Sequence, residues 1–151
     1  MKATDLLKKQ HRDVKQLFKK LERTERASER RQLMTEIAQE LQVHTKIEEE
    51  LFYPAMRDVP SKKAEEMLNE ALEEHHVVDL VLNELPQVDP EDERFEAKMT
   101  VLSELVLHHA DEEEKEMFKL ATKLGKEELE ELAEQMQART TELKGMGRKA
   151  A

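Results

Sequence analysis

The chain has 151 residues, enough for one domain with a full core and few for two. Charged residues make up 40% of it against 38% hydrophobic, with three glycines and four prolines, the profile of a helical protein with solvated outer faces. A formal charge of −10 argues against a nucleic-acid partner, and the lack of cysteine excludes disulfides, iron–sulfur ligation and thiol chemistry, so that any metal must be held by nitrogen and oxygen.

Apolar residues recur at three- and four-residue spacing almost without interruption, which predicts helices at 4–26, 29–57, 61–85, 91–122 and 126–144. The breaks fall at the polar stretch around Ser28, at VPSKK, at PQVDP and at Gly125. Long helices on short connections pack antiparallel. The expected fold is all-α: an up-and-down antiparallel four-helix bundle over 1–122, with residues 123–151 forming a C-terminal helix and short basic tail packed on the same domain. The start, MKATDLLKKQH, has no apolar leader region, and no stretch approaches the ~18 apolar residues of a membrane span. A cytoplasmic protein without membrane contact, monomeric or a weak homo-oligomer, is the expectation.

The apolar stripes contain polar residues at matching places. The first helix runs Leu7, His11, Val14, Phe18, Leu21, and the third Leu68, Ala71, His75, Val78, Leu82, Leu85. The second runs Ile37, Leu41, His44, Glu48, then Leu51 or Phe52, and the fourth Met99, Leu102, Val106, His109, Glu113, Met117. A shift of 64 residues lays His11 on His75, and a shift of 65 lays His44 and Glu48 on His109 and Glu113. The same helix pair is used twice. At ~1.5 Å per residue, His11 and His44 stand at one level, whereas His75 and His109 mismatch by roughly 12 Å unless PQVDP is extended.

A carboxylate in a bundle core is unfavourable unless it is paired or bound to metal. The spacing H-x-x-x-E stacks both side chains on one helix face. Two such pairs and two single histidines converge as four imidazoles and two carboxylates, the ligand set of a two-metal site: His11, His44, Glu48, His75, His109 and Glu113. With both carboxylates bridging, the protein fills eight of the twelve positions of two octahedral ions. The others can hold a bridging oxide or hydroxide and exogenous ligands such as O2, peroxide or NO. Two iron ions are the first choice for this donor set, ahead of manganese or zinc. The competing reading is a buried polar network without metal, in a purely structural or interaction bundle.

His76 and His108 adjoin proposed ligands, and His108 with Glu112 repeats the spacing of His109 with Glu113. The His109 register keeps the apolar stripe aligned, whereas the His108 register sets Glu116 opposite Phe52, and the His76 register brings Asp79 into line. Glu49 and Glu50 are expected to face solvent. Tyr53, the only tyrosine, could reach the metals as a hydrogen-bond donor behind the ligands or as a ligand itself, but packing and surface roles compete, and Pro54 leaves its direction open.

The segments QHRDVKQLF, HTKIEEELFYP, EEHHVVDLVLNEL and HHADEEEKEMF, with the order H, HxxxE, H, HxxxE, resemble hemerythrin-like proteins of the HHE cation-binding family over about residues 1–122. The resemblance implies a non-haem di-iron centre with bridging glutamates. Oxygen-carrying hemerythrins have a fifth histidine one turn from the single His of the third helix, where this chain offers Ala71 and Asp79. The FYPA and HADEEE segments look closer to bacterial hemerythrin-like proteins, some of which resemble peroxide-decomposing ones. The expected function is a di-iron protein that binds and reacts with small oxidants, first of all a catalase-like decomposition of hydrogen peroxide. The alternative is O2, NO or iron binding, sensing or storage without turnover.

Overall fold

In the computed structural model, which describes the backbone of residues 1–150 and the side chains of residues 1–147, the chain forms five helical rods and no strand among those residues. The first rod is Ala3–Glu22. It ends four residues before the spacing suggested. The second, residues 27–56, joins an α-helix Ala27–Ile47, a π-helical turn Glu48–Phe52 and a last α-helical turn Tyr53–Met56. The third is Lys62–Glu84, capped by Ser61, whose hydroxyl accepts from the Ala64 N–H at 3.2 Å. The fourth repeats the build of the second: α-helix Glu93–Glu112, π-helical turn Glu113–Met117 and α-helical turn Phe118–Ala121. The Asp92 carboxylate caps it by accepting from the Arg94 N–H at 2.9 Å.

About half of the expected mismatch between the third and fourth rods is closed by a 3₁₀ turn, Leu85–Gln87, which extends the third rod by about 6 Å. An extended linker supplies less of the reach than the spacing suggested. Gly125, at φ 89°, then reverses the chain into the fifth rod, Lys126–Ala150. That rod runs six residues past the expected end at 144, through two glycines. The end of the basic tail, 148–151, lies outside the described side chains.

Successive rods run antiparallel, as short connections require. The fifth lies along the first and second. Its Leu129, Leu132, Ala133 and Met136 join the core, while Arg139 forms a two-pronged contact with Glu50, Nε to Oε2 at 2.8 Å and the second prong to Oε1 at 3.2 Å. Two apolar clusters fill the bundle. One contains Leu7, Ile47, Phe52, Tyr53, Leu68 and Met117, the other Val14, Phe18, Ile37, Leu41, Leu82 and Leu102. The polar residues of the four stripes form a layer between them. No helix among the described residues is long and apolar enough to cross a membrane.

Candidate metal centre

All six residues singled out by the stripes are buried, Glu48 completely and Glu113 to within 2%. They fall into two overlapping groups whose ligand atoms lie within 4.8 Å of one another: His11, His44, Glu48 and Glu113, and Glu48, His75 and His109. The distances link the halves. Glu48 Oε1 is 3.1 Å from His44 Nε2 and 3.2 Å from His75 Nε2. Glu113 Oε1 is 3.2 Å from His11 Nε2 and 3.4 Å from His109 Nε2. His75 Nε2 and His109 Nε2 are 3.2 Å apart. His76 and His108 are exposed, so the registers that kept the stripes apolar are the ones the fold uses. His108 does pair with Glu112 at 3.2 Å, but on the surface.

The outer nitrogens of the four rings are all engaged. His44 Nδ1 meets Gln10 Oε1 at 2.7 Å and His109 Nδ1 meets Glu74 Oε1 at 2.8 Å. His11 Nδ1 meets Glu114 Oε2 at 3.0 Å, and His75 Nδ1 meets Glu49 Oε2 at 3.1 Å. These oxygens can only accept, so each Nδ1 holds a ring proton, and in the neutral ring, the form that binds a cation, each Nε2 turns a lone pair inward. At the centre the protein leaves atoms without partners. His11 Nε2, His44 Nε2, both Glu48 oxygens and Glu113 Oε1 are buried and make no aligned hydrogen bond. Five such atoms in one layer are costly for a folded protein. Their separations match ligand atoms sharing an ion, since bonds of about 2.1 Å at right angles put neighbouring donors ~3 Å apart.

Burial alone would push the histidines toward neutrality, but the carboxylates override it. His11 and His75 are raised, chiefly by Glu113 and by Glu48 respectively, and His109, next to Glu113, Glu74 and Glu48, is raised to about 9. The two central carboxylates part company. Burial opposes the charge on Glu48, yet the surrounding imidazoles hold it ionised, while Glu113 is pushed up by burial and by Glu48. Without a bound cation the layer holds charge that its own groups must share.

The two π-helical turns set the direction of Tyr53 and Phe118, the aromatic residues just beyond the glutamates. Tyr53 N–H donates to Glu48 O, and Phe118 N–H to Glu113 O, five residues back. The wider turn brings each ring under the glutamate instead of well over 100° round the helix from it. Tyr53 Oη therefore lies inside the layer. It donates to Glu113 Oε2 at 2.8 Å and sits 3.2 Å from His75 Nε2 and 3.3 Å from His109 Nε2. Phe118 stacks on His11 with centroids 6.1 Å apart, as Tyr53 stacks on His75 at 5.4 Å.

The Hemerythrin HHE cation binding domain family is matched over residues 2–121, most of the chain. The chain belongs to the hemerythrin HHE family. It is 34% identical to the uncharacterized protein Rv2633c of Mycobacterium tuberculosis over 96% of this chain and 89% of that one. A crystal structure of an HHE cation-binding domain-containing protein from Mycobacterium kansasii, an Rv2633c homolog, superposes with a TM-score of 0.84 at 30% identity, covering 97% of this chain and 89% of that one. A DNA nickase of Nostoc is 24% identical over 91% of this chain but only 39% of its own length. The bundle with its extra C-terminal helix is thus the hemerythrin-like fold.

Within this HHE bundle, Ala71 is buried in the same apolar cluster as Tyr53 and Asp79 is exposed, so neither neighbouring turn of the third rod adds a donor to the centre. The nearest extra oxygen is Tyr53 Oη. Spacing missed five contributors: Gln10, Glu74, Glu49, Glu114 and Phe118. Glu49 faces solvent only in part, because its carboxylate reaches His75. The signal was available in the repeat, since the shifts of 64 and 65 pair Gln10 with Glu74, Glu49 with Glu114 and Tyr53 with Phe118.

Proposed function

We propose that His11, His44, Glu48, His75, His109 and Glu113 would hold two iron ions, and that the protein decomposes hydrogen peroxide. The observation that carries the metal reading is the convergence of buried, partnerless imidazole and carboxylate atoms at ligand-like separations. When bound, the ions supply Lewis acidity and a reservoir of electrons for peroxide chemistry.

The chain's own residues do the rest. A mainly apolar cavity of about 30 Å³ abuts all four histidines, walled by Val14, Leu41, Val78, Val106 and Leu107. One water-sized molecule needs ~10–15 Å³, so this space suits a ligand of two heavy atoms. Tyr53 Oη can join the second group of ligands in place of a fifth histidine, or hold a proton next to it. Burial and the two glutamates raise its hydroxyl well above the ordinary tyrosine range, so it keeps its proton in the absence of metal. Glu113 Oε2, 2.8 Å away, is the group that can take that proton or return it.

O2 and NO fit the same cavity, which supports the alternative of binding, sensing or iron storage without turnover. Metal analysis of protein purified under iron-replete conditions is expected to give about two irons per chain. Protein that stays metal-free and resists reconstitution would remove the site altogether. Added peroxide then separates the two functions. The loaded chain should release O2 far faster than a His109→Ala variant, and equal release by the two would leave binding as the function.

A further inference from the structure

The two candidate ion positions are related by the internal repeat, and apart from Tyr53 and Phe118 their surroundings can be compared pair by pair. His11 and His75 are each backed by a carboxylate from the opposite half, Glu114 at 3.0 Å and Glu49 at 3.1 Å. Both carboxylates are similarly exposed, at 38% and 42%. His44 and His109 break the match. The acceptor behind His44 is the Gln10 amide, and the acceptor behind His109, at the same place in the repeat, is the Glu74 carboxylate.

An imidazole that donates its Nδ1 proton to a carboxylate is a more basic and more negative ligand than one donating to a neutral amide. We propose that Gln10 and Glu74 rank the two ion positions: the position of His75 and His109 binds the cation more tightly and favours the higher oxidation state. Gln10 and Glu74 are positioning residues here, acting through the rings they hold. The proposal rests on the two-metal reading above. It also gives the asymmetry a source distinct from Tyr53, which adds its hydroxyl to the same position.

Exchange of the two acceptors isolates the effect. Gln10→Glu and Glu74→Gln are nearly isosteric, and the double variant Q10E/E74Q conserves net charge and leaves Tyr53 in place. The full chain, stripped of metal, is titrated anaerobically with Fe(II) by calorimetry. Crystals grown at one equivalent are then read by anomalous scattering at the iron edge, and the redox potentials of the fully loaded protein are measured. In the wild type, iron at one equivalent should concentrate at His75 and His109. Glu74→Gln should weaken the tighter step by about 10- to 100-fold, the range for loss of a group behind a metal-bound histidine. Q10E/E74Q should move the first iron to His11 and His44 and exchange the order of the potentials. An unchanged filling order in Q10E/E74Q would overturn the ranking while leaving the two-metal site intact. So would a preference abolished by Tyr53→Phe alone. A wild type that takes up no iron would overturn the two-metal reading and the ranking with it.

Discussion

Residues 3–56 and 62–121 build the same half-site, yet one is walled and the other open. On the first half the fifth rod lies across the outer surface and Arg139 grips Glu50. At the equivalent place in the second half stands Lys115, which among the described residues pairs with Asp111 of its own rod. Inside the layer, Tyr53 of the first half reaches the histidines of the second, while its counterpart Phe118 offers His11 only a ring face. A repeated scaffold thus tolerates change at some places and not at others. The residues whose donor atoms converge are kept, as are Glu49 and Glu114 behind two of them, while Gln10 and Glu74, and Tyr53 and Phe118, differ.

The harshest way to break the equivalence is through Glu48, which belongs to both ligand groups. Glu48→Gln should lower metal content by at least half, because it removes one of the two carboxylate charges within reach of both histidine pairs. Unchanged metal content in the variant would mean that the Glu48 carboxylate is not needed to hold a cation. Metal analysis beside circular dichroism checks this, the latter to show that the rods still form.

Tyr53→Phe makes the two halves alike at this position and tests whether the hydroxyl matters to chemistry or only to packing. The ring volume is kept, but Glu113 Oε2 loses its donor. If the hydroxyl moves a proton during turnover, peroxide decomposition should drop by about 100-fold, within the usual range for general acid–base groups, with metal content unchanged. Stability should fall by only ~1–3 kcal/mol, the penalty for leaving a buried acceptor unmatched. Full activity in the variant would reduce Tyr53 to a packing residue.

These contrasts mark how far the sequence could be read. The six ligating candidates, their register against His76 and His108, and the bundle itself are legible in the apolar stripe. Imidazoles and carboxylates that interrupt it twice at matched spacing would be left buried and unsatisfied unless they met one another or a cation. The direction of Tyr53 is not legible there. Counting on from Glu48 assumes an α-helix, and the π-helical turn adds one residue to that count. Pro54 is not the cause, since the fourth rod makes the same turn without a proline. The groups behind the histidines were legible only in part: the repeat pairs Gln10 with Glu74, but both precede a ligand by one residue and fall off the stripe, and packing of neighbouring rods brings them to the rings.

A smaller effect comes from protons at the second position. In the metal-free chain His109 is raised from 6.5 to about 9. A group with a raised folded-state pKa adds stability that is complete below its unfolded value and is lost as pH rises through the folded one. The metal-free protein should therefore lose part of its stability between about pH 6.5 and 9, and the His109 ring should titrate near 9 by NMR. Metal uptake runs the other way. A cation must displace that proton, so affinity should rise with pH over the same window and binding should release protons to the buffer. A His109 midpoint below 6.5 would show that burial, not the surrounding carboxylates, decides its charge.

The smallest expected change concerns the rod that covers one half only. Gly145 and Gly147 both lie in its last turns, where glycine lowers helix stability by ~0.5–1 kcal/mol relative to alanine. Their surroundings differ. A Cβ at Gly145 meets nothing within 4 Å, whereas one at Gly147 would come within 2.7 Å of Gln39 Nε2 on the second rod. Gly145→Ala should gain the helical increment, read as a higher urea midpoint at unchanged slope. Gly147→Ala should gain less, because the Gln39 amide must swing aside, and Gly147→Ala in a Gln39→Ala background should recover the difference. Neither change touches the central layer, so metal content should stay as in the wild type. A destabilising Gly145→Ala would mean that the covering rod ends before residue 145 in solution, and that the first half is less enclosed at that end than its packing shows.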